Sequence, residues 1–261
     1  MEDLKKVLLE AAHAAGGLIL QRFQGPFAIE HKEGINNLVT EVDKAVESAV
    51  ITIIKAHFPE HAILSEEVGN LPMDSEYQWI IDPIDGTVNF AHGIPICCVS
   101  IALKKGDSLI LGAVYNPMMN EFFFAERGAG ATLNGEPISV SQKSDFRRAC
   151  LVTGFPYTWP EAQEHPIRVF ERLVMQGLPV RRLGSAAIDL CWVACGRFDG
   201  FWEYNLSPWD IAAGYLIVEE AGGKVTNFDG DPYNVFDKRT LATNGLIHEA
   251  LREQIRASVT S

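Results

Sequence analysis

The chain has 261 residues, 47% hydrophobic and 21% charged, with a formal net charge of −12. That length supports a large core, as one domain or two closely joined halves. The acidic balance speaks against a nucleic-acid surface, which needs basic patches, and against docking on an anionic membrane. No apolar run approaches the roughly 20 residues of a membrane span.

The N-terminus mixes acidic and basic residues and lacks a signal-peptide core with a cleavage site, so a cytoplasmic protein is expected. Periodic apolar residues predict a helix over Leu4 to Phe23, and alternation predicts a strand from Phe27 to His31. The polar segment Lys32 to Asn37 reads as a loop. Thr40 caps a second helix, Glu41 to His57, with Asp43 in its first turn. "HAILSEE" is a short strand ending in Glu66 and Glu67, and "QWIIDPIDGTVNF" begins as a buried strand. Ile96 to Lys104, Ser108 to Tyr115 and Glu121 to Glu126 read as three further strands, and Asn134-Gly135 as a hairpin turn.

From about Phe146 the rhythm alternates. "ACLVTGF" is a strand, His165 to Met175 a helix, "PVRRLG" a strand and Ser185 to Cys195 a helix. "GFWEY", a helix from Trp209 to Ala221, strands "GKVTNF" and "TLATN", and a helix from Ile247 to Ser258 complete the chain. No hinge-like linker separates the two stretches, 1–145 and 146–261. The cysteines (Cys97, Cys98, Cys150, Cys191, Cys195) are odd in number and match no zinc spacing, so reduced core thiols are expected.

Asp82 and Asp85 flank Pro83 and Ile84 at the end of an apolar run. Asp-Gly is a turn dipeptide, which explains Asp85 and Gly86 but not Asp82 directly after "WII". Pro83 fixes its own φ and biases Asp82 toward extended geometry. Two carboxylates about 4 Å apart repel by roughly 4 kcal/mol at an effective dielectric near 20, so a shared proton or a cation must compensate. Carboxylates, the Ile84 carbonyl and water suit magnesium. The amides of Gly86 and Thr87, opening a short helix, suit an anion. Glu66 and Glu67 also fit a solvated loop start, and Asp210 in "SPWDIAAG" also fits a capping-box acid.

Together, "WIIDPIDGTVNF", the upstream Glu-Glu and "WDIAAGYLIVEEAGG" resemble the inositol monophosphatase family, part of the lithium-sensitive, magnesium-dependent phosphatases that also include fructose-1,6-bisphosphatases. The pattern runs from "NNLVTEVD" to the last helix, and "RRLGSAAIDLCWVACGRFDGFWE" resembles the bacterial branch most. The resemblance implies an α+β fold, a layered α-β-α-β-α sandwich of the sugar-phosphatase type with two closely packed α/β halves. Residues 1–145 would carry the Glu-Glu and DPIDGT motifs, and 146–261 the Trp-Asp motif and the polyol contacts.

It also implies roles. Glu66, Asp82 and the Ile84 carbonyl hold a first Mg²⁺; Asp82, Asp85 and Asp210 hold a second; a weaker third ion sits near Glu66 and Glu67 through water. Mn²⁺ would substitute, and Ca²⁺ and Li⁺ would inhibit. Gly86 and Thr87 bind phosphate, and Thr87 with Asp43 activates the attacking water, with Glu66 also assigned to catalysis. Asp85, Ala186, Glu203 and Asp210 contact the polyol, and Lys32 is a basic loop contact that reads equally as an exposed lysine. Asn37 stands where many relatives have Asp, which weakens the expected loop metal site. No Cys or His, His92 included, is given a catalytic role.

The expected reaction is Mg²⁺-dependent hydrolysis of a small polyol phosphate, inositol-1-phosphate first, by a positioned water. Metal ions must reverse the local sign before a phosphate dianion approaches so acidic a protein. Fructose-1,6-bisphosphate, histidinol phosphate and 3′-phosphoadenosine nucleotides remain alternative substrates. A contact with the transcription machinery and a metal-binding structural role remain alternative functions. The resemblance also implies a homodimer.

Overall fold

The computed structural model describes residues 1–31, 38–156 and 166–259. Helix α1 (Glu2–Arg22) leads to a small antiparallel hairpin, β1 (Ile29–His31) with β2 (Leu38–Thr40), which runs directly into α2 (Glu41–His57). An eight-stranded sheet follows: β3 (Ala62–Ser65), β4 (Gly69–Leu71), β5 (Tyr77–Asp85), β6 (Cys98–Lys105), β7 (Ser108–Asn116), β8 (Glu121–Glu126), β9 (Gly130–Leu133) and β10 (Glu136–Pro137). Its order is β10-β9-β8-β7-β6-β5-β3-β4, antiparallel throughout except for β3 beside β5. The short helix α3 (Thr87–Ala91) leaves the end of β5.

A five-stranded sheet lies further along: β11 (Leu151–Thr153), β12 (Val180–Arg181), β13 (Gly200–Tyr204), β14 (Lys224–Thr226) and β15 (Arg239–Thr243), ordered β12-β11-β13-β15-β14. Helices α4 (Pro166–Met175), α5 (Ala186–Ala194), α6 (Pro208–Glu220) and α7 (His248–Val259) complete the chain.

Side-chain alternation builds the layers. Along β5, Trp79 and Ile81 point to a core shared with Leu8, Ile19, Val46 and Ile54 of α1 and α2, while Ile80 points to a core shared with α5 and α6. Along β13, Phe201 joins that second core, and Trp202 joins a third with Val169 and Leu173 of α4 and Leu251 and Ile255 of α7. The order is helices, sheet, helices, sheet, helices. Both sheets are covered on both faces, which is why "WII" shows no polar alternation. Helices α5 and α6 are mostly apolar around their whole circumference, apart from Asp189, Asp210 and the Glu219–Glu220 end, because they lie between the sheets.

The expected elements recur with shifts at their ends. Helix α1 starts at Glu2, β3 stops at Ser65 before Glu66, and "ACLVTGF" pairs only over Leu151–Thr153. Strands β2 and β4 are three residues each, too short for periodicity to reveal. In "DPID" the strand runs on past the apolar Trp79–Ile81 run through both carboxylates to Asp85. Asp82 faces Ser100 on β6 and Asp85 faces Cys98, so three steps on β5 match two on β6. That one-residue bulge absorbs Pro83, which has no N–H for the ladder. Residues three apart on a regular strand point to opposite faces; the extra residue turns both carboxylates to the α5–α6 side. Among the described residues, no helix is long and apolar enough to cross a membrane.

Candidate active site

A cavity of about 400 Å³ opens where β5, α3, α5, β13 and α6 meet. Its walls include Glu66, Asp82, Ile84, Asp85, Gly86, Thr87, Ala186, Glu203 and Asp210. Residues drawn from both sheets and from the helix layer between them thus reach one space. Glu67 and Asp43 do not line it, although Asp43 bonds the lining residue Thr87, whereas Lys32 and Asn37 fall outside the described residues.

Each acid has a structural reason for its place. The bulge aims Asp82 and Asp85. Asp85 Oδ2 accepts from Ser185 Oγ and from the Ala187 N–H, both at 2.7 Å, which fastens β5 to the N-terminus of α5. Asp210, at N3 of α6, accepts from the Ser207 N–H at 2.7 Å in a capping box with Pro208 at N1. Its capping role and its place at the cavity are therefore simultaneous. Asp43 does likewise on α2: Oδ2 accepts from the Thr40 N–H at 2.8 Å, and Oδ1 accepts from Thr87 Oγ1 at 3.2 Å. Thr87 Oγ1 also lies 3.0 Å from the Ile84 carbonyl. Gly86, at φ 91°, turns the chain into α3; a Cβ there would come within 2.9 Å of the Ile96 carbonyl oxygen.

Three supporting residues escaped the sequence reading. Glu47 is buried one helical turn after Asp43; it accepts from the Ser65 hydroxyl and from the N–H groups of Glu67 (3.0 Å) and Val68 (3.2 Å). It holds the segment that presents Glu66, and its i+4 spacing from Asp43 was the available signal. Ser185 caps α5 while bonding Asp85. Asn89 donates to the carbonyls of Ile96 (2.7 Å) and Leu183 (2.8 Å), tying α3 to the turn before α5. His92 is exposed and bonds the Val88 carbonyl at 2.8 Å, away from the acids.

The site is strongly acidic and desolvated. Burial raises Asp82 well above the usual carboxylate range, and Glu66, Asp85 and Asp210 add repulsion. Burial likewise raises Asp43 and Asp85 to about 6 and Asp210 to about 8. Glu203 is raised by burial and then by Asp210 and Asp85. Glu66 and Asp210 both act on the Asp82 carboxyl, whose Oδ1 is buried without a hydrogen-bond partner. Among the described residues, no three Asp, Glu, His or Cys side chains are placed so that together they could already hold a metal ion. The donor chemistry nonetheless fits a hard divalent cation: converging carboxylates, a buried orphan oxygen and a backbone carbonyl. Such an ion would relieve a repulsion that the carboxyl groups by themselves answer only by holding protons.

Comparison with known proteins agrees with this chemistry. The model of the inositol monophosphatase family matches residues 1–260. An inositol-1-monophosphatase of Synechocystis is 45% identical over 254 residues, covering 97% of this chain and 88% of the relative. The Nus factor SuhB of Escherichia coli is 40% identical, covering 98% and 97%. The solved inositol monophosphatase of Anabaena superposes with a TM-score of 0.88 at 43% identity, over 98% of this chain and 96% of that one. An IMPase/NADP phosphatase solved with Mg²⁺ and phosphate gives 0.85 at 26% identity, over 97% and 95%. The chain therefore belongs to the inositol monophosphatase family, as a phosphoric monoester hydrolase.

Proposed function

We propose that the chain hydrolyses the phosphate monoester of a small polyol, with inositol-1-phosphate as the first substrate. The observation that carries this reading is the buried, unpartnered Asp82 oxygen among Glu66, Asp85 and Asp210, beside the Gly86–Thr87 turn. Stretches 1–145 and 146–261 supply the two sides of the cavity.

Glu66, Asp82 and the Ile84 carbonyl would hold one Mg²⁺ and Asp82, Asp85 and Asp210 a second, with Glu66 and Glu67 near a third through water. Bound there, the ions neutralise phosphate charge and lower the pKa of a coordinated water. The protein does the rest by position. The Gly86 and Thr87 N–H groups, at the start of α3, orient the phosphate oxygens. Asp43 accepts the Thr87 hydroxyl proton, which leaves Thr87 lone pairs to accept from the attacking water and aim it. Burial and the fixed hydrogen bonds of Asp43 keep that pair in place. A positioned water replaces a covalent intermediate. At the far end, Glu203, Ala186, Asp85 and Asp210 take the polyol hydroxyls. Gly154 makes room for Glu203, since a Cβ there would stand 2.1 Å from its Oε1.

Phosphate release across a panel of monoesters, with and without Mg²⁺, tests the reading. The expected result is Mg²⁺-dependent release, fastest from inositol-1-phosphate and slower from fructose-1,6-bisphosphate, histidinol phosphate and 3′-phosphoadenosine nucleotides. Failure to cleave any polyol ester sinks it. A second reading, contact with the transcription machinery, is favoured by the 40% identity to a chain named Nus factor SuhB. The net charge of −12 points that contact toward protein rather than RNA. A pull-down with transcription factors tests it. The homodimer and the cytoplasmic setting belong to the same proposal, and light scattering checks the former.

A further inference from the structure

Asp189 has no part in the chemistry described so far. It lies in the first turn of α5, is 1% exposed and lines the cavity. Neither of its carboxylate oxygens has a hydrogen-bond partner, which sets it apart from Asp85 and Asp210, whose oxygens are fastened to backbone N–H groups. A buried carboxylate left this way is costly and is expected to have a partner that the chain itself does not supply. A structural role would need one within the protein, as Asp199 has in Ser141, Lys143 and the Cys150 N–H.

The charges around Asp189 narrow the partner's chemistry. Glu203, 8% exposed on β13, lines the same wall and repels it, as does Asp85. Arg182, exposed at the rim, is the cation that acts on both Asp189 and Glu203. Two carboxyl groups facing one space, each able to accept and that of Asp189 unbonded within the chain, favour a ligand that brings several hydroxyls without bringing negative charge. A polyol does so through hydroxyls on neighbouring carbons. A leaving group with a second phosphate does not.

We propose that Asp189 is a specificity-determining residue that, paired with Glu203, selects an uncharged, multiply hydroxylated leaving group and disfavours one carrying a second anion. The inference rests on the reading that the cavity holds a polyol phosphate, and it adds a recognition residue to the set drawn from Asp85, Ala186, Glu203 and Asp210.

The test compares the wild-type protein with Asp189→Ala and Asp189→Asn, in Mg²⁺, on myo-inositol 1-phosphate, p-nitrophenyl phosphate and fructose 1,6-bisphosphate. The aryl ester keeps the phosphate end and lacks the hydroxyls. The ratio of kcat/KM for the inositol ester over the aryl ester is expected to fall about tenfold or more in both variants, mainly through KM. The ratio of bisphosphate over aryl ester is expected to rise. A structural role predicts equal losses on all three esters, and the near-isosteric Asn variant reads the effect even where Ala unfolds. Ratios within twofold of wild type, whatever the absolute rates, overturn the assignment of Asp189. A wild-type enzyme without preference for the inositol ester over the aryl ester overturns both this inference and the polyol reading, whereas a wild-type preference that both variants keep overturns this inference alone.

Discussion

Asp82 concentrates the tension of the site in one side chain. Its Oδ1 is buried without a partner, and three other acids raise its proton affinity. Asp82→Asn removes one repelling charge and one of the proposed metal donors together. Mg²⁺-dependent phosphate release is expected to fall at least about a hundredfold, or roughly 2.7 kcal/mol of transition-state stabilisation. The melting temperature in EDTA is expected to hold or rise, because the apo site loses repulsion. A calorimetric scan checks this, and a large drop would mean that Asp82 is structural. At this scale the acids Glu66, Asp82, Asp85 and Asp210 were legible, because their motifs join carboxylates to unusual neighbours. Glu47, Ser185 and Asp189 were not, because each lies in an apolar helix pattern or at its cap, where one polar residue is common. Only the fold shows which of them face the same space.

Between elements, the decisive contact is α6 wedged against α5 and β7. A Cβ at Gly214 would come 2.7 Å from Leu190 Cδ1 and 2.8 Å from Leu190 Cβ, and one at Gly112 would come 3.2 Å from Ala213 Cα. The glycines let the helix carrying Asp210 sit close to the helix whose start bonds Asp85. Gly214→Ala is expected to lower stability by about 1–3 kcal/mol in a urea titration, by overpacking a buried helix pair. It is also expected to reduce kcat, because α5 and α6 each carry cavity residues. An unchanged midpoint and unchanged turnover would show that the pair can separate without cost. The small run Ala212-Ala213-Gly214 signalled close packing in the sequence, but not which helix it would meet. The "DPID" bulge was harder to foresee. Proline and spacing suggested a rigid pair of acids, whereas their common face follows from one extra residue opposite β6, which is a property of pairing.

For the molecule as a whole, buried acids set the response to pH. Asp43, Asp82, Asp85, Asp189, Glu203 and Asp210 all bind protons more tightly when folded than their ordinary values allow. The apo fold therefore loses stability as pH rises from the unfolded carboxylate values near 4, and with Asp210 at about 8 the loss continues to about pH 8. His248 opposes this over a narrower range. Thr226 Oγ1 donates to the Asn227 carbonyl and so accepts from Nε2, while Thr243 Oγ1 accepts from the Gly245 N–H and donates to Nδ1. That arrangement holds a neutral ring, and burial lowers His248 to about 4, so its contribution is full above about 6.5 and lost as pH falls toward 4. Six acids outweigh one histidine. The EDTA-treated protein is expected to melt lower at pH 8 than at pH 5.5, and Mg²⁺ is expected to raise the melting temperature more at pH 8, where it displaces fewer protons. Differential scanning calorimetry at the two pH values checks both, and equal Mg²⁺ shifts would mean that the acids do not bind the ion.

Asp43 links two parts of the molecule. One of its oxygens closes the first turn of α2 onto Thr40, the last residue of the β1–β2 hairpin, and the other receives the Thr87 hydroxyl. The hairpin, the long helix behind the sheet and the hydroxyl beside the Gly86 turn thus meet at a single carboxyl group. The orientation of the Thr87 hydroxyl is therefore tied through one carboxyl group to the hairpin and to α2.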